Sequence, residues 1–181
     1  MKNPTQSIVY IGIAGGICAI ALCMGYFHIQ RQIQRNNANV NGIVRTSNGM
    51  RSLLGDMQLE AKVSDMPPGN MREMVDWLNR KEYSQLSFDD IRRNISVDLE
   101  QGIIFDSWGT PIQLVRVKDS VVAAVPNLYV LVSFGPNRRN DGGLSDDIVC
   151  KAIIPDQEPL APCTNAEPGS ELSKIIRAIG K

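Results

Sequence analysis

The stretch that most restricts this chain is Ser7–Ile29, an apolar run with no charged side chain and a single histidine, His28, at its far edge. As a helix rising 1.5 Å per residue it matches the roughly 30 Å hydrocarbon thickness of a bilayer. The run therefore predicts a transmembrane helix, with a short N-terminal tail, over residues 1–29. Lys2 and Ala19-Ile20-Ala21 resemble a cleavable leader. The apolar run continues through Leu22, Met24, Tyr26 and Phe27, however, so a retained anchor is the expectation. Within it, Gly12 and Gly16 form a GxxxG spacing, the kind of small-residue face on which a second helix packs in lipid.

From Gln30 to Lys62 there is no proline, and Ile33, Val40, Val44, Leu54 and Met57 recur at near-helical spacing. This predicts a helical stalk over residues 30–65, frayed or bent at Gly42, Gly49 and Gly55, where glycine costs about 1 kcal/mol relative to alanine. Met66-Pro67-Pro68-Gly69 ends it, because proline removes a donor and disfavours helix before it. The remainder, 66–181, suffices for one small globular head.

Composition narrows the function. Hydrophobic residues at 43% and charged residues at 21% suit a folded chain rather than a disordered one. Nineteen basic against nineteen acidic residues remove the electrostatic case for a nucleic-acid partner. One histidine at a membrane edge leaves no general base, and neither a phosphate-binding glycine loop nor a His/Cys metal cluster appears, so no enzyme is expected.

Cys18 and Cys23 lie in the apolar run, where a thiol is a small hydrophobe. Cys150 and Cys163 lie in and near a proline-rich segment and suggest a disulfide, two free thiols being the alternative. A bridge of that span would constrain the unfolded chain by roughly 3 kcal/mol and would form in a periplasm. Arg31, Arg35, Arg45 and Arg51, with no acid before Asp56, point the other way by the positive-inside rule. The cysteines are given precedence, which places the head in the periplasm.

Asn70 predicts the cap of a helix running to about Glu82, with Met71, Met74, Val75 and Leu78 on one face and Trp77 adding apolar surface. Phe88–Ile95 suggests another short helical segment. From Gly102 the period changes, and Ile103–Phe105, Ile112–Val117, Val121–Val125 and Leu128–Phe134 read as strands joined sequentially in one antiparallel meander with one apolar face. Val149–Ile154 predicts a final strand. Ser170 predicts the cap of a terminal helix with Leu172, Ile175, Ile176 and Ile179 on one face, docked on its own domain.

Two motifs are more specific. Asp106-Ser107-Trp108-Gly109-Thr110-Pro111 reads as a structural corner: Asp106 accepts bonds from the turn, Trp108 buries its ring, Gly109 permits an unusual backbone, and Pro111 starts a strand without donating. The second runs from Ser133 to Ile148, an oxygen-rich, glycine-rich loop. It offers the hard ligands calcium takes, without EF-hand spacing, and a solvated turn is the alternative.

The order of these elements, with DSWGTP and then SFGPN followed by DDI, resembles the major pseudopilin of type II secretion systems and related type IV pilin-like proteins. The likeness covers most of the chain. It implies an α+β fold, a long helix packed on a small antiparallel sheet, and a structural subunit of a pseudopilus or pilus-like assembly acting in protein secretion. Implied partners are the bacterial inner membrane, crossed once, and other pilin-like subunits or secretion-system components. The resemblance also implies calcium at Asn137, Asp146 and Asp147, with Asp141 a further candidate, and a disulfide in the C-terminal region. Arg138 and Arg139 offer another closure of the loop, by pairing with Asp146 or Asp147. The glutamate that such proteins carry early in the helix has no counterpart before Asp56. A second reading follows: a membrane-anchored pilin-like protein that binds an envelope partner without polymerising.

Overall fold

The computed structural model of the chain describes residues 4–60, 68–79, 91–117, 128–154 and 160–179, with side chains of the first helix described from Ile20 to Leu59. It is an α+β protein with a long N-terminal helix and small antiparallel sheets. Helix α1 is Pro4–Glu60 and α2 is Met71–Leu78. Strands β1 (Ser96–Asp98) and β2 (Ile103–Phe105) form one sheet. Strands β3 (Gln113–Val117), β4 (Leu128–Ser133) and β5 (Ile148–Ile153) form a second, in that order, and α3 is Glu171–Ala178. Two compact units result, Met1–Val40 and Asn41–Lys181.

In the first unit the described side chains of α1 are largely exposed, Ile20, Leu22, Met24, Tyr26, Phe27 and Ile29 each by more than half. Among the described residues no helix is long and apolar enough to cross a membrane. Ser7–Ala19 of the expected span, with Gly12 and Gly16, lie outside the residues whose side chains are described.

In the second unit the last third of α1 is a core element. Met50, Leu53, Leu54 and Met57 fall at i, i+3, i+4 and i+7 and are fully buried, whereas Val44, expected on the same stripe, is about half exposed. The helix neither ends nor breaks at its glycines. Gly42 lies against the Trp108 indole, where an added Cβ would come within 2.5 Å of the ring, and Gly49 meets Ile95 at 2.7 Å. These positions are bare where another side chain occupies the space.

Local signals set the shorter helices. The Asn70 side chain accepts from Glu73 N at 2.9 Å, and Glu73 reaches back to Gly69 N at 2.7 Å, a reciprocal cap. Helix α2 stops at Leu78, short of the expected Glu82; Met74, Val75, Trp77 and Leu78 share one core with α1. Residues 91–94 form a helical turn. Phe88–Asp90, the expected strand Val121–Val125 and its flanking turns lie outside the described residues.

In place of the single meander expected from sequence, the strands of the described residues fall in two sheets. Strand β1 is only three residues long and pairs Ser96↔Phe105; β3 pairs directly with β4 through Val117↔Leu128. The larger sheet is covered on both faces. Tyr129, Leu131, Ile148, Cys150 and Ala152 face the core that contains α1, while Val130, Val132 and Val149 face Leu172 and Ile176 of α3. Successive strand side chains alternate between faces, so the central strand is apolar on both faces from Leu128 to Val132. Helix α3, capped by Ser170 as expected, supplies the second cover.

Candidate metal centre

The loop from β4 to β5 turns by left-handed residues: Gly135, Arg138, Gly142, Gly143 and Ser145 all have φ between 59° and 77°. At Gly135 the demand is absolute, because a Cβ would lie 2.2 Å from the Asp146 carbonyl oxygen. This folding brings Asp141, Asp146 and Asp147 together, with one carboxylate oxygen from each within 4.8 Å of the others.

Asp147 is the deepest of the three, 1% exposed. Its Oδ2 accepts from Asp141 N at 3.0 Å and Gly143 N at 2.8 Å, while its Oδ1 is buried with no hydrogen-bond partner. Burial pushes its carboxyl up to about 6 from 3.8; the two amides oppose this, and the charges of Asp141 and Asp146 add to it. Asp146 Oδ2 accepts from Asn137 N at 2.9 Å. The Asn137 amide nitrogen donates to Asp141 Oδ2 at 2.8 Å and to Asp146 Oδ1. Asn137 thus stands among the acids as a donor, and its own Oδ1 accepts from Arg139 N at 2.6 Å.

A buried, unpartnered oxygen beside two further carboxylates is the arrangement a cation relieves. The donor set is all oxygen, so the acidic triad can hold a hard metal ion. The Arg138 guanidinium donates to the Trp108 carbonyl at 2.6 Å.

The corner is built around Asp106, and β3 begins at Gln113, two residues after Pro111. Gly109 has φ 76°, and Pro111 bridges Phe105. Asp106 Oδ1 accepts from Trp108 N at 2.9 Å and Thr110 N at 2.8 Å. Trp108 is half-buried. Two hydroxyls that sequence patterns do not reveal complete the corner: Ser133 donates to Asp106 Oδ2 at 2.7 Å and accepts from Gly135 N, and Thr46 of α1 accepts from Ser107 N at 3.1 Å. Ser133 thereby links the corner to the acidic loop.

The far wall of the loop comes from the C-terminal segment. Cys150 and Cys163 are joined in a disulfide. Thr164 and Val149 exchange backbone bonds, Asn165 donates to Ser145 O at 2.7 Å, and Ala166 N donates to Gly143 O. Asn140 donates to Ile176 O at 2.8 Å and Ile179 O at 2.9 Å, tying the loop to the end of α3. Neither Asn140 nor Asn165 carries a sequence signal beyond being polar and near a glycine. Comparison of the chain with protein-family models, curated proteins and solved structures returns no match.

Proposed function

We propose that this chain is a structural subunit of a pseudopilus or pilus-like assembly in the bacterial envelope, acting in protein secretion. Its N-terminal helix would be held in the inner membrane and its head in the periplasm, and calcium would sit in the Asp141, Asp146 and Asp147 loop. The observation that carries this reading is the run of exposed apolar side chains on α1, from Ile20 to Ile29, on a helix with no charge before Arg31. Apolar surface of that extent is removed from water by lipid or by other helices. The Cys150–Cys163 bridge supports an oxidising compartment. The all-oxygen donor set and the orphaned Asp147 oxygen favour calcium over a softer ion. The subunit works without catalysis.

Overproduction of the full chain followed by mild detergent extraction tests assembly. Filaments that sediment are the expected result, with a native N-terminus at Ile13 or Ile17 by mass spectrometry. Monomers with an intact Met1 would remove the polymerising role and leave the membrane-anchored partner-binding protein, which the lack of an acid before Asp56 favours.

A further inference from the structure

Away from the acidic loop, three arginines of the described residues line one cleft. Arg45 of α1, Arg92, Arg93 and Asn94 of the 91–94 turn, Ser96 of β1 and Ser107 of the corner line a cleft of about 280 Å³. All three arginines are exposed. Asp106 also lines the cleft, but its Oδ1 accepts from the Trp108 and Thr110 amides and its Oδ2 from the Ser133 hydroxyl. Its charge is thus met by donors within the fold. Arg92, Arg93 and Asn94 have interactions of their own, and a guanidinium with five N–H donors has some to share.

We propose that this cleft binds a phosphate group. A lone carboxylate brings one charge and two acceptor oxygens, whereas a phosphate brings close to two charges and three acceptors or more. That matches planar guanidinium forks arriving from two different elements, with two serine hydroxyls beside them. The cleft is open to solvent on one side, so a phosphate carrying an ester substituent can enter it. Free phosphate and a phospholipid headgroup share this chemistry. The site stands apart from the acidic triad and does not depend on assembly.

The test is a titration of the full-length chain in neutral detergent and calcium-free buffer, following the amide signals of Ser96 and Ser107 by NMR. The probes are inorganic phosphate, dihexanoyl phosphatidylglycerol and dihexanoyl phosphatidylcholine. Saturable shifts with phosphate are expected, with affinity falling about tenfold in Arg45→Gln and several-fold between 50 and 200 mM salt, values chosen to span the screening range. Phosphatidylglycerol binding more tightly than phosphate would assign the source to lipid; phosphate binding as tightly or more so would assign it to the free anion. Absence of saturable shifts with all three probes overturns the proposal, as does unchanged affinity in an Arg45→Gln protein that melts like the parent. Should Arg45→Gln melt early, Ser96→Asp decides instead: it sets a negative charge at an exposed position in the cleft and must weaken phosphate binding.

Discussion

Asp106 follows β2 of the small sheet and Asp147 precedes β5 of the larger one; both are buried aspartates, and they have opposite fates. Asp106, 3% exposed, has one oxygen on two backbone amides and the other on the Ser133 hydroxyl. Asp147, 1% exposed, has two amides on one oxygen and nothing on the other, with two more carboxylates alongside. A buried charge is tolerated when each lone pair has a donor, and it otherwise shifts toward neutrality or recruits a counter-ion. The first acid is therefore part of the scaffold, and the second, with its two neighbours, can hold a metal ion.

Four experiments break or sharpen that contrast. Asp106→Ala strands two amides and a hydroxyl, so thermal unfolding should report a loss of about 3–5 kcal/mol; a loss below about 1 kcal/mol would remove the scaffold role. Calcium at a hundredfold excess over its dissociation constant should raise stability by about 2.7 kcal/mol over chelated protein. Asp147→Asn should abolish that gain while changing the chelated protein little, and equal melting of the parent with and without chelator would count against calcium.

Acidity separates the two acids next. The carboxyl of Asp147 is raised to about 6 in the fold against 3.8. The unfolded chain releases that proton first, so chelated protein should lose stability as pH climbs from about 4 through 6, on the order of 2 kcal/mol. Calcium competes with the proton and should reverse this slope, as melting curves at pH 4.5 and 7.5 would reveal. Asn140→Ala has the smallest expected effect, about 1 kcal/mol, because it removes two bonds to the carbonyls of Ile176 and Ile179. Hydrogen exchange should then quicken in α3, while exchange at the corner stays unchanged.

What could be read from the residues alone follows from range. The corner, the Asn70 and Ser170 caps and the strand runs of β2, β3, β4 and β5 are encoded within a few neighbours, and they lie where the sequence places them. The three acids also come from one loop. The orientation of the Asn137 amide is not encoded by its neighbours in sequence; here it turns its nitrogen to the acids and its oxygen to Arg139 N. Strand β1 is too short to show a period. The reason for glycine at 42 and 49 is not local, because Trp108 and Ile95, which fill the space beside them, lie dozens of residues downstream.

Those two glycines also limit how the molecule can be engineered. Exchanging helical glycine for alanine is a standard way to harden a protein, with a gain of up to about 1 kcal/mol from the backbone. On the face of α1 that carries Gly42 and Gly49 a single methyl group would act as a wedge, prising the helix from an indole on one turn and a buried isoleucine two turns later. Slenderness there outranks helix propensity.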